Sequence, residues 1–111
     1  MSIQIASVTG QTTPGSTAGV AITTAGDYTP SVTIASLSGG AGGQPTARIS
    51  IDDSPDGATW TPFAEFAVAG IVQPGVTSTM SRRCRPADSI NAHVRTTVQA
   101  VNGVLSYTAS V

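Results

Sequence analysis

The sequence predicts an all-β fold, a single antiparallel β-sandwich of seven to eight strands. Three observations carry that expectation. Ile and Val together number 19, whereas Leu numbers only two, Leu37 and Leu105; β-branched side chains fit a pleated, half-buried surface better than a helix. No segment longer than ten residues shows an apolar stripe of helical period, and alternation runs through the chain instead. Clusters of Gly, Pro, Asn and Asp punctuate the alternating runs roughly every 8–15 residues. With 111 residues the chain is expected to form one domain, residues 1–111, with a modest core that needs no staples.

Ile3, Ile5 and Val8 mark a first strand, followed by the turn-rich QTTPGSTA of residues 11–18. Val20 and Ile22 alternate in a second run that ends at Ala25-Gly26-Asp27. Val32 and Ile34 mark a third, closed by the glycine-rich residues 39–43, a loop between strands of one sandwich. Ala47, Ile49 and Ile51 mark a fourth. Trp60, Pro62, Ala64 and Phe66 fall on one face of a fifth, which places Trp60 in the core beside Phe66. Val76, Ser78 and Met80 alternate in a sixth. The seventh run, residues 90–101, is the longest, and residues 104–111 form the eighth.

Two turns suggest pairings. Asn102-Gly103 is the strongest two-residue hairpin signal, since a type I′ turn needs φ > 0 at both central positions. That turn would set Val101 against Val104, Ala100 against Leu105, Val98 against Tyr107, Thr96 against Ala109 and Val94 against Val111. The last four of these pairs share an apolar face, while Gln99–Ser106, Thr97–Thr108 and Arg95–Ser110 share a polar one. A second hairpin joins residues 46–52 to 59–66 through Asp53-Ser54-Pro55-Asp56-Gly57.

Composition excludes several function classes. Charged residues are only 10%, and the net charge is -1, which argues against a nucleic-acid module built on phosphate neutralisation. All basic residues are Arg, so neither the lysine of a P-loop nor a Schiff-base amine is present. One Cys excludes a disulfide framework and cysteine-rich zinc sites, and one His excludes an HExxH pair. No apolar run is long enough for a transmembrane helix, and no signal peptide precedes the first strand. A chain that stays in the compartment where it is made, a cytoplasm to which a lone Cys is suited, with no cofactor, metal, membrane or direct nucleic-acid partner, is the expectation.

Five features are candidate sites. Asp52, Asp53, Ser54 and Asp56 before Gly57 have the look of a calcium loop, but Pro55 interrupts it and Phe63 stands where a bidentate Glu is required, so an acidic hairpin turn is expected. Arg82, Arg83 and Arg85 surround Cys84, with Arg83 and Arg85 on one face of a strand and Arg82 on the other. They form either an edge blunted by charge or a partner contact, and are the partner-binding candidates. His93 is expected on the polar face with Arg95, and Cys84 as a small hydrophobe; no GxSxG elbow or catalytic Cys signature accompanies either. Residues 39–43 lack GxGxxG spacing, which leaves flexibility or close packing as their role. Trp60 is the fifth, as core plug or surface anchor.

The stretch ARISIDDSPDGATW, residues 47–60, is similar to the S-x-D-G-x-x-W hairpin of fibronectin-III-like and other immunoglobulin-like sandwiches. INAHVRTTVQAVNGVLSYTASV, residues 90–111, resembles the last two strands of that class. The resemblance implies an Ig-like sandwich with strands A, B, C, C′, E, F and G over residues 3–25, 31–37, 46–52, 59–66, 76–82, 89–101 and 104–111. The lysine-free, Thr/Ser/Ala/Gly/Val-rich style also resembles small virion proteins of tailed bacteriophages, such as head decoration or cement proteins and neck or tail components. That implies a non-enzymatic structural protein bound in many copies, or as a homo-oligomer, to a major capsid protein or another virion protein. A carbohydrate-binding or adhesion module is the alternative; it would need Trp60 exposed in one patch with Tyr28 or Tyr107.

Overall fold

The computed structural model describes residues 3–22, 28–71, 79–84 and 90–111, the side chains of 79–84 excepted. The chain is an all-β sandwich of two antiparallel sheets. Its strands are β1 (Gln4–Gln11), β2 (Gly15–Ser16), β3 (Val20–Ala21), β4 (Ser31–Ser38), β5 (Thr46–Ser54), β6 (Thr61–Ala69), β7 (Thr79–Cys84), β8 (His93–Asn102) and β9 (Val104–Ser110). The small sheet has the order β1-β9-β4. The large sheet runs β2-β8-β5-β6-β7, with β3 also paired to β8. The stretch that the resemblance gave to strand A, residues 3–25, is thus split: β1 lies in the small sheet, and the two-residue β2 and β3 form a strap along the edge of the large one. Ile3 and Val111 exchange backbone hydrogen bonds of 2.7 and 2.9 Å beside β1 and β9. Val76 and Ser78 of the sixth run lie outside the described residues, and β7 carries its continuation.

The β5–β6 hairpin forms as the turn residues demand, with Asp53 opposite Thr61 and Ile49 opposite Phe66. The Asn102-Gly103 hairpin does not form. β8 pairs with β5, where Val98 faces Ile49 and Thr96 faces Ile51. β9 pairs with β1 and β4, where Tyr107 faces Val8 and Ile34. The chain at Asn102-Gly103 therefore arches from one sheet to the other. No described residue other than glycine has positive φ, so Asn102 lacks the left-handed conformation that a type I′ turn requires. The last strand accordingly leaves the place beside the penultimate one that the expected hairpin gave it.

The inward residues are nonetheless those the alternation marked, apart from Ala100. Val94, Thr96 and Val98 of β8, and Leu105, Tyr107 and Ala109 of β9, are all buried. They meet across the sandwich instead of across a ladder, and Thr96 Oγ1 shares a 2.8 Å hydrogen bond with Tyr107 Oη between the layers. Burial pushes the Tyr107 phenol above its ordinary value, and the Thr96 bond pulls partly the other way. Ala100 is exposed because the register slips between Arg48–Ala100 and Ile49–Val98.

A bulge corrects a further expectation, and a second one sets the spacing of β4. In β6 the register steps from Ile51–Ala64 to Asp52–Pro62, so Phe63 is the inserted residue. Phe63 and Ala64 are both buried, and the phase before them is reversed: Pro62 is exposed and Trp60 only half-buried. Trp60 is therefore no core plug; Tyr28, Phe63, Phe66 and Tyr107 are the buried aromatics. In β4 a bulge between Ile34 and Ser36 accounts for the three-residue step from Ile34 to the buried Leu37.

Candidate functional site

The polar clusters lie on the large sheet, and the strands around them are what saturate them. Asp52 stands on the outer face of β5 opposite Arg95 of β8. Its Oδ1 accepts a 2.7 Å bond from Ser50 Oγ, and its Oδ2 accepts bonds from Thr97 Oγ1 at 2.6 Å and Arg95 Nε at 3.3 Å. The guanidinium of Arg95 lies 4.5 Å from the centroid of the Trp60 ring, a cation–π contact. The ring edge packs against Gly19, where a Cβ would come within 3.0 Å of the indole. Ser16 Oγ shares a 2.8 Å bond with Thr97 Oγ1. Asp52, Arg95 and Trp60 together therefore fasten the β2–β3 strap to the large sheet.

Asp53 points the opposite way, into the sandwich, and is fully buried. Its Oδ2 accepts the Asn91 backbone N–H at 2.8 Å and Asn91 Nδ2 at 3.0 Å, and its Oδ1 accepts Thr61 Oγ1 at 3.3 Å. Asp56 caps the β5–β6 turn. Its Oδ1 accepts the amides of Ala58 at 2.9 Å and Thr59 at 3.0 Å and the Ser54 hydroxyl at 2.9 Å. The Thr59 and Ala58 amides, then the Ser54 hydroxyl, hold its carboxyl down at about 2 against an ordinary 3.8. The three carboxylates thus face outward, inward and into their own turn, and the acidic run is the hairpin turn its residues suggested. Among the described residues no group of three His, Cys, Asp or Glu could hold a metal ion.

Arg82 and Arg83 stand on β7, the edge strand of the large sheet, opposite Phe66 and Glu65 in the β6 register; Cys84 is opposite Ala64. Arg85 lies outside the described residues. The structure thus puts two of the three candidate arginines at successive positions on a sheet edge. His93 is half-buried opposite Ser54, and its ring lies 3.7 Å from where a Gly57 Cβ would stand, so it packs under the turn. Tyr28 and Tyr107 are each 1% exposed, so they form no aromatic patch with Trp60.

Residues 39–43 close over the arch. Asn102 Oδ1 accepts the Ala41 N–H at 2.9 Å, and Asn102 Nδ2 donates to the Gln44 carbonyl at 2.9 Å and the Ala41 carbonyl at 3.5 Å. Gly40, at φ +83°, has no room for a Cβ beside Asn102. Close packing is therefore the role of Gly40, while Gly39, Gly42 and Gly43 have open space.

Among the described residues, shallow concavities lie over both outer faces. One of about 410 Å³ lies over the large sheet among Thr46, Arg48, Ala67, Ala69 and Ala100. Another, of about 200 Å³, lies over the small sheet among Gln4, Ser31, Thr33, Thr108 and Ser110. The small sheet itself was missed as a surface: β1, β4 and β9 contain no Asp, Glu, Lys, Arg or His. The signal was present in QIASVTGQ, SVTIASLS and VLSYTAS, which alternate hydroxyl and apolar residues, but it becomes a surface only when the three are known to be neighbours. No family model matches this chain, no curated protein matches it, and no solved structure matches it.

Proposed function

We propose that this protein is a non-enzymatic structural component of a tailed-bacteriophage particle, a decoration or cement protein that binds the assembled capsid lattice and stabilises it. The observation that carries the reading is that the carboxylates and the guanidinium of the large sheet are taken up by hydrogen bonds and packing within the fold. Asp52, Asp53 and Asp56 each accept several hydrogen bonds from neighbouring strands or from their own turn. Arg95 is held between Asp52 and Trp60. What these groups do is fix the fold, and what the fold turns outward is the two sheet surfaces. Such a module acts by contact. A ligand that binds only the assembled state stabilises that state by mass action, and many weak copies on a repeating shell add through multivalency. The major capsid protein is the proposed partner, and Arg82, Arg83 and Arg85 remain proposed partner contacts.

A density-gradient separation of the source lysate, with peptide mass spectrometry on each fraction, tests this. The expected result is co-banding with DNA-filled particles at many copies per particle, the copy number separating a head coat from a neck or tail ring. Recovery only with small soluble material would sink the proposal.

A further inference from the structure

We infer that the outward face of the β1-β9-β4 sheet is the main surface that meets the partner, with the arginines of the β7 edge a separate and minor contact, and that the partner offers this face an uncharged, hydrogen-bonding protein surface; this rests on the lattice-binding reading above. In register, Ser7, Thr108 and Thr33 form one row across the three strands, and Gln4, Ser110 and Ser31 form the next. All six are exposed or half-buried. Neighbouring strands lie about 4.8 Å apart, and a register shift in β1 between the two rows brings Gln4 and Ser7, three positions apart, into line with Ser110 and Thr108, so the side chains make a grid. The grid surrounds the 200 Å³ concavity.

Among the described residues, charge lies away from this face. Arg48, Asp52, Asp53, Glu65, Arg82, Arg83 and Arg95 all sit on strands of the large sheet, and Asp56 on its turn. A sheet face without an ionised side chain can be covered by a partner without desolvating an ion. Burying a hydroxyl is far cheaper than burying an ion, provided it finds a hydrogen bond, and each hydroxyl can donate or accept. Short Ser and Thr side chains also lose little rotamer freedom. A polyanion would call for cations here, and a glycan for stacking rings. The sole aromatic of the three strands, Tyr107, points into the core. A neutral protein face is the complement that remains.

The test uses the full chain and gradient-purified particles depleted of it, with co-sedimentation at roughly 50 and 500 mM NaCl, conditions that span strong and weak screening. The wild type should bind about equally at both. Thr108→Arg and Thr33→Glu, each checked for an unchanged melting temperature, should weaken binding about tenfold or more, because each buries an unpaired charge. Arg48→Glu, on the opposite outer face, should bind within about twofold of wild type. If both grid variants bind normally, or if salt or Arg48→Glu abolishes binding, the face is wrongly assigned while lattice binding stands. Capture of the wild type by a neutral glycan array, lost in Thr108→Arg, would overturn the protein partner. Failure of the wild type to sediment with particles at either salt would overturn the lattice reading itself, and this inference with it.

Discussion

Asn102 ties the arch to the glycine-rich loop with one amide group, using both its oxygen and its nitrogen. Asn102→Ala removes these bonds and should cost about 1–2 kcal/mol, at roughly 1 kcal/mol per hydrogen bond, read as a lowered melting temperature. The neighbouring Gly103 has φ +118°, and a Cβ there would collide with the Ser38 carbonyl oxygen. Gly103→Ala should therefore destabilise more than Gly39→Ala, where a Cβ meets nothing and only the φ of +76° is strained. Equal losses would mean that the arch has room it does not show. Asp56 supplies a pH-dependent counterpart. Its carboxyl is lowered from 3.8 to about 2, so the stability it contributes is present at pH 5 and above and is lost as pH falls through about 2. The melting-temperature gap between wild type and Asp56→Ala should be constant from pH 7 to 5 and should close toward pH 2.

Strands were legible in this sequence, but their partners were not. Alternation of the kind seen at Val94, Thr96 and Val98 tells which residues face inward; it is the same whether the next strand lies beside them or across the core. Asn102-Gly103 therefore looked like a hairpin, and its clamp on Ala41 and Gln44 had no sequence signature. Trp60 failed for a related reason. A single inserted residue, Phe63, reverses the phase of everything before it. The acidic turn was legible because its chemistry is local, with Asp56 bonded to residues two and three positions on. The bulge makes a direct prediction: Phe63→Ala, at a fully buried position, should cost about 3–5 kcal/mol, and Trp60→Ala, half-buried under Arg95, clearly less. Chemical denaturation of the two variants would show the order, and the reverse order would return Trp60 to the core. The strap should be the softest element. β2 and β3 are two-residue pairings, so their amides should exchange with solvent well before those of β5 and β8.

At the scale of the molecule, the two sheets are unlike in chemistry and in how they are assembled. The large sheet contains the local β5–β6 hairpin, and its remaining strands add around that pair. The small sheet has no such seed. β1 and β4 never touch as a ladder; each pairs only with β9, which lies between them and comes last of the three in the chain. During synthesis the first two strands must therefore wait, uncharged and with open edges, until β9 has left the ribosome. A chain released before Val104 would carry those edges with nothing to pair them, and such edges are templates for association between molecules. A version ending at Gly103 should accordingly be recovered as aggregate, whereas the full chain stays dispersed in the same sedimentation run. The arch at Asn102 is thus the last step in completing the small sheet, and the edges of β1 and β4 stay open until the chain has passed through it.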